Sequence, residues 1–258
     1  MENELNLSRG SRIAKQGFAN EKDMVKVFNS WESNPAAKML LSRMGHDLEN
    51  ISSVIAKKVP GTVKPDIMVS VVSPGHTEYH RISCKRVEKK ANYNHLCRKS
   101  VSKYADQWGF DEQVGDLLKA FTGEIPGNNF LRSGVTPRDH RRLFMHEMND
   151  AAQACVVEFF QHNVHNVVKE IFLGTDRDEI PQWMLFTYID ETGDCSYHIY
   201  PMQQVVDFYT GDAQVSLTSR GNLSIGKVTL QRKGGTGNPF DMQFKFRPRS
   251  FLEKQNEI

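Results

Sequence analysis

The chain has 258 residues, 39% of them apolar, with a formal net charge of +2. This length suits one large domain or two small ones with a real core. An apolar run of about 18 residues, the signature of a membrane-spanning helix, is absent, and the opening MENELNLSRG lacks the apolar stretch of a signal peptide.

In chain order, the pattern predicts mixed α and β structure. Asn20 is placed to cap a helix whose apolar stripe is Met24, Val27, Phe28 and Trp31. A second helix spans 35–44, with Pro35 at its first turn, and 47–57 reads as a third. Ile67, Val69 and Val71 then alternate with Met68, Ser70 and Val72 as in a strand. Ser73, Pro74 and Gly75 form a turn, and residues 79–85 alternate back as the returning strand. Helices are expected near 96–108 and 112–121, with a Gly- and Asn-rich loop at 123–134. Thr136-Pro137 reads as the start of another helix running toward His162, with 164–173 as a separate helical piece. Beyond Gly174 the chain becomes β-rich: a hairpin of 183–189 and 197–200, a short helix at 203–209, and strands at 213–217, 223–231 and 242–246. These features predict a mixed α/β fold, with a helix-rich part at 1–174 and a β-rich part at 175–258.

Charge is segregated along the chain. Between 81 and 103 there are eight basic residues (Arg81, Lys85, Arg86, Lys89, Lys90, Arg98, Lys99, Lys103) against Glu88 alone. Between 227 and 249 there are six (Lys227, Arg232, Lys233, Lys245, Arg247, Arg249) against Asp241 alone. Arg132, Arg138, Arg141 and Arg142 form a third group, while acids gather at 176–179 and 190–194. Such segregation fits a basic face turned to a polyanion, and it also fits ordinary solvated surface. Cys84, Cys97, Cys155 and Cys195 have no CxxC spacing, so free thiols in a reducing cytoplasm are expected.

The chemistry centres on the predicted hairpin. Asp66 opens one strand and Lys85 closes its neighbour, with Ser83 two residues before the lysine. An acid and a lysine meeting at one sheet edge can hold a divalent metal and a water against a phosphate. Spacing alone equally fits a surface acid and a surface lysine. Glu21, in the first turn of the early helix, offers a third carboxylate or simply a favourable charge at a helix N-terminus. His162 and His165 have a metal-like spacing without a completing motif. His95 and Cys97 are close in sequence, and Gly234, Gly235 and Gly237 read as a turn rather than a phosphate cradle.

Pro65-Asp66 followed by Ser83-Cys84-Lys85 resembles the motif of PD-(D/E)xK nucleases. Longer stretches are similar to the monomeric restriction endonucleases of the HinP type, and more distantly to MspI. They are AKQGFANEKD (14–23), MGHDLENI (44–51), FTGEIP (121–126), DHRRLFM (139–145), GKVTLQRKGG (226–235) and MQFKF (242–246). The resemblance implies a nuclease core with a mixed sheet flanked by helices, a β-rich C-terminal DNA-recognition part, double-stranded DNA as partner and Mg2+ as cofactor. It implies cutting at a short GC-only site: GCGC for the HinP type, CCGG for MspI. A methylation-dependent or repair nuclease on the same scaffold, or a DNA-binding protein with a decayed centre, are the alternatives. By resemblance Asp66 and Lys85 are catalytic, and Glu21 matches a helix glutamate near the metal. Ser83 stands where the HinP type has Gln and most relatives an acid, making it a short, weak oxygen ligand beside Asp66 and Glu21. The implied DNA-binding residues are Lys89, Lys90, His95 and Arg98 after the catalytic lysine, then Gln231, Arg232, Lys233, Gln243 and Lys245. A monomer or weak dimer, cytoplasmic and accompanied by a cognate DNA methyltransferase, completes the expectation.

Overall fold

The computed structural model describes residues 2–61, 63–88, 93–176, 179–233 and 238–258, with side chains from Lys15 onward. Seven α-helices and ten strands are present among them, the strands forming two five-stranded sheets. Contacts between residues divide the chain into two compact units, one of 1–94, 172–207 and 247–258, the other of 95–171 and 208–246. This partition by contacts differs from a division at 174 by secondary-structure content.

The first unit is built on a sheet ordered β1-β2-β3-β5-β6, from β1 (Ser53–Lys58), β2 (Ile67–Ser73), β3 (His76–Glu88), β5 (Trp183–Ile189) and β6 (Cys195–Pro201). Neighbours run antiparallel except β3 and β5, which are parallel. Ile67, Val69 and Val71 of β2, Ile82 and Cys84 of β3, Leu185 and Ile199 bury one face against Met24 and Phe28 of α1 (Glu2–Asn29) and Leu40 and Leu41 of α2 (Pro35–Arg43). The strict alternation along β2 is what one buried face requires. On the other face Phe251 of α7 (Pro248–Lys254) lies edge-on to Tyr200, 4.9 Å between ring centres.

Several expected elements differ. α1 begins far upstream of Asn20, which is a buried interior residue and caps nothing. Residues 47–57 are no helix: Asp47 caps a single 3-10 turn and β1 follows. Val54 and Ala56 face the core there, and the sheet decides between two patterns that a short apolar run fits equally.

The second unit carries the sheet β4-β10-β9-β8-β7, from β4 (Asn94–Lys99), β7 (Val215–Leu217), β8 (Leu223–Ile225), β9 (Val228–Arg232) and β10 (Met242–Phe246). The expected helix at 96–108 is split: β4 occupies its start, and α3 (Val101–Trp108) begins after Ser100, whose side chain accepts from the Lys103 amide. The expected strand 223–231 is a tight hairpin, β8 to β9, turned at Gly226 (φ 55°), where a Cβ would lie 2.5 Å from the Tyr209 carbonyl oxygen. Residues 136–149 do not continue into a helix from Thr136-Pro137. They are tied by buried Glu147, whose carboxylate accepts from the Arg138 and Phe144 amides. α5 (Asp150–Leu173) starts only after Asn149, whose side chain accepts from the Ala152 amide, and then runs unbroken through 164. Tyr104 and Trp108 of α3 stack on each other at 4.4 Å and meet Phe244 of β10 edge-on, forming the aromatic core. No helix among the described residues is long and apolar enough to cross a membrane.

Candidate functional site

Asp66 sits one residue before β2, and the ladder fixes it there. Its amide donates to the Ile82 carbonyl at 2.9 Å, and its own carbonyl accepts from the Val59 amide at 3.0 Å. Because Ile67 pairs with Ile82, Asp66 comes level with the middle of β3, where Ser83, Cys84 and Lys85 follow in sequence. One carboxylate oxygen, Oδ2, accepts from the Ser83 hydroxyl at 3.0 Å and the Cys84 amide at 2.6 Å, and the Lys85 ammonium forms an ion pair with it at 3.7 Å. Asp66 and Lys85 are about one-fifth exposed, 22% and 21%, so both are accessible while packed. Ser83 is buried.

Glu21 reaches this region from α1. Its carboxylate pairs with Lys58 of β1 at 2.6 Å, a partner not anticipated from the sequence. The Cys84 thiol registers the gathering of charge: burial first, then Asp66 and also Glu21, push it well above its ordinary range, while Lys85 opposes them. Cys84 therefore stays an uncharged thiol, and the acids and the lysine lie within electrostatic reach of one buried point. A hard divalent cation prefers carboxylate and hydroxyl oxygens. Asp66, Glu21 and Ser83 offer that donor chemistry, and within the protein the hydrogen bonds on Asp66 converge on Oδ2 alone. The residues present fit Mg2+.

The second unit brings together residues that the sequence scatters. Arg98 and His95 lie on β4, next to β10, which carries Gln243 and Lys245, and beyond it β9 carries Gln231 and Arg232. The two segments thus lie on neighbouring strands of one sheet. Gln231 and Gln243 are directly paired, and Thr229 faces Lys245. These four point away from the core, whereas Val228, Leu230, Met242 and Phe244 are buried. Arg232 pairs with Met242 and so belongs by alternation to the other face; at the strand end its Nε donates to the Pro239 carbonyl at 3.1 Å. Lys233 follows β9. Lys89 and Lys90, like Gly234, Gly235 and Gly237, lie outside the described residues.

Cations crowd here. Burial and the charges of Arg232 and Arg138 press the Arg142 guanidinium down to about 10, against Asp139 and Glu147. Arg232 is lowered by burial and by Arg141, and Lys245 by burial. Arg138 and Arg142 both lie over the Phe144 ring, at 3.9 and 4.0 Å from its centre. The spread of basic residues in the sequence foreshadowed this group, but the meeting of Arg142 with Arg232 follows only from folding. An open cavity of about 460 Å³ adjoins β4, lined by Arg98, Lys99 and Lys103 with Glu124, Asp241 and the exposed ring of Phe240. His162 and His165 are exposed on α5 and gather no partner ligands among the described residues.

Two five-stranded sheets in a mixed α/β architecture, with an acid and a lysine paired between neighbouring inner strands of one of them, match the fold class of restriction endonucleases. The fold is similar to that of "restriction endonuclease MspI in complex with its cognate DNA", with a TM-score of 0.64 and 14% identity over 93% of this chain and 92% of that one. Among curated protein sequences none matches significantly. The family model described as R.HinP1I restriction endonuclease matches residues 44–252, and the chain belongs to that family. Asp66, Ser83, Lys85 and the second-unit sheet lie inside the matched span; Glu21 lies before it.

Proposed function

We propose that the protein is a type II restriction endonuclease that hydrolyses both strands of duplex DNA at a short site made only of G and C, GCGC, using Mg2+. The observation that carries this reading is the Asp66–Lys85 pair, held by backbone bonds and by a shared oxygen. Bound Mg2+ would be held by Asp66 and Glu21, with the Ser83 oxygen as a weak third donor, and supplies charge neutralisation at the phosphodiester and acidification of a water. Lys85 orients the attacking water and stabilises charge on the phosphate oxygens. Ser83, by donating to Asp66 Oδ2, keeps that carboxylate turned in one direction. In the second unit Arg98, Arg232, Gln231, Gln243 and Lys245, with His95 and Lys233, present donors suited to the O6 and N7 acceptors of guanine. The crowded guanidiniums support a polyanion as partner, because DNA phosphates relieve their mutual repulsion. Lys89 and Lys90 belong to the same basic run in the sequence. A cognate methyltransferase that protects the site, a cytoplasmic location and a monomer or weak dimer complete the proposal.

The serine at the usual acid position favours a second reading, a DNA-binding protein whose cutting centre has decayed. Incubation with a plasmid of known sequence in Mg2+, with mapped fragment ends, decides. Cuts confined to GCGC support the proposal, cuts at sites containing A·T pairs overturn the specificity, and tight binding without cutting overturns the activity. Equal cutting in excess chelator overturns the metal requirement.

A further inference from the structure

A second polar cluster lies on the same strand as the Asp66–Lys85 pair but on its core-facing side. His80 of β3 is three residues before Ser83 and is buried at 6% exposure. Its Nε2 lies 2.8 Å from Nε2 of His46, in the turn after α2, and 3.7 Å from Oε2 of Glu78. One ligand atom from each of His46, Glu78 and His80 falls within a 4.8 Å group. His76, two residues earlier on β3, places its Nε2 3.4 Å from the other Glu78 oxygen. His76, Glu78 and His80 alternate along one side of the strand, opposite Ser73, Val71 and Val69 of β2. The turn that brings His46 in is fixed: Gly45 adopts φ 94°, and the His46 amide donates to the Leu41 carbonyl at 3.1 Å.

We infer that His46, Glu78 and His80 form a site for a borderline divalent transition metal of the Zn2+ type, separate from the Asp66–Lys85 centre. The donor set decides the metal. Two imidazole nitrogens and one carboxylate suit zinc, whereas Mg2+ seeks an octahedron of oxygens. His76 or a water completes four ligands. Two Zn–N bonds of about 2.0–2.1 Å at a tetrahedral angle need nitrogens roughly 3.3 Å apart, so the rings part by about half an ångström from their present contact. Burial first, then the His46 ring, holds His80 down to about 4, so its nitrogens carry no extra proton at neutral pH.

Loading has a structural cost that also makes it visible. Trp183 Nε1–H donates to His80 Nδ1 at 3.2 Å, so in the metal-free protein the single His80 proton sits on Nε2 and is donated to His46. Metal at Nε2 moves that proton to Nδ1, where it can no longer accept from Trp183. The Trp183 bond must break, and the indole N–H loses that acceptor. A filled site would clamp the turn after α2 to the strand that carries Ser83 and Lys85.

The test is metal content and binding on the full chain. Protein equilibrated with Zn2+ in the presence of excess Mg2+, then gel-filtered, should retain about one zinc per chain, with a change in tryptophan emission. His46→Ala and Glu78→Gln should each weaken zinc binding by roughly tenfold or more, and Asp66→Ala should leave it unchanged. His80→Gln removes a buried ring, so the half-exposed Glu78 carries the decision if a histidine variant fails to melt cooperatively. Substoichiometric zinc in the wild type, or unaltered binding in folded His46→Ala or Glu78→Gln, overturns the inference. Loss of zinc in Asp66→Ala places the metal at the other centre and overturns it as well. None of these outcomes depends on whether DNA is cut.

Discussion

The Asp66 corner and the Arg142–Arg232 group treat charge in opposite ways. At Asp66 one carboxylate oxygen already accepts from a hydroxyl and an amide of its own chain and faces an ammonium as an ion pair. Around Arg142 the protein gathers like charges, and burial together with neighbouring guanidiniums makes the charged state costlier. The first arrangement fixes the direction of a carboxylate from within the protein, the geometry that the proposed catalytic role requires. The second gathers like charge that an arriving anion would offset, which suits the binding role proposed for it.

The sharpest way to break this contrast is to remove the ordered pair. Asp66→Ala or Lys85→Ala should lower cleavage by about 10²–10³-fold or more, while salt-sensitive DNA binding persists in gel-shift titrations. Undiminished cutting in either variant would show that the corner is not catalytic. The next effect lies in the crowded group. Arg232→Ala should lower binding to the cognate site by about 1–3 kcal/mol more than binding to random DNA at fixed salt. Arg142→Ala should weaken both alike and reduce the salt slope by about one. Equal losses for Arg232→Ala would make Arg232 a phosphate contact.

Glu257 provides a control on the comparison. Its carboxylate is saturated by Arg43, Tyr200 and His198, and Ser196 in turn bonds the His198 ring. Glu257→Gln should cost about 1–3 kcal/mol of stability, measured by denaturant unfolding, with little change in cleavage rate. The pH dependence follows from two groups acting in one direction. Burial opposes Glu257 ionisation, but Arg43 and Tyr200 outweigh it and hold its pKa below the usual value, so its stabilising contribution is present above the ordinary glutamate range and is lost as pH falls. Burial lowers His198, so the unfolded chain takes up that proton first as pH drops below the ordinary histidine range. Thermal stability should therefore fall on acidification, less steeply in Glu257→Gln. The smallest effect is expected at Ser83: Ser83→Ala removes one of two hydrogen-bond donors to Asp66 and should slow cleavage about tenfold, near 1.4 kcal/mol, whereas Ser83→Glu should maintain or raise it.

Legibility in the sequence followed the range of the interactions. The β2–β3 hairpin was readable because alternation and a nearby turn fix register locally, but Lys85, expected to close the returning strand, lies inside β3, which runs on to Glu88. The 183–201 hairpin and the helix near 203–209 were readable too. β1 was missed because SVIAKK fits a helix or a strand until the neighbouring β2 claims it. The helix expected from Thr136 failed because Glu147 uses its carboxylate to hold two backbone amides of an irregular loop, which no spacing rule reports. The Arg142–Arg232 proximity and the His46–His80 contact join residues far apart in the chain, and single-sequence patterns carry no signal for such pairs.

The parallel pairing of β3 with β5 has a consequence for how the molecule is made. Ile82 is opposite Trp183, 101 positions later (183 − 82), and the residues between include 95–171 of the second unit. A hairpin forms locally and fast, whereas a parallel ladder waits for its distant partner and bears the loop-closure cost. On the ribosome, β2 and β3 emerge together with Asp66 and Lys85 already side by side, yet one edge of β3 stays open until the Trp183 segment arrives. The Asp66–Lys85 corner thus becomes part of a finished sheet only late in synthesis, after residues 95–171 of the second unit have been translated.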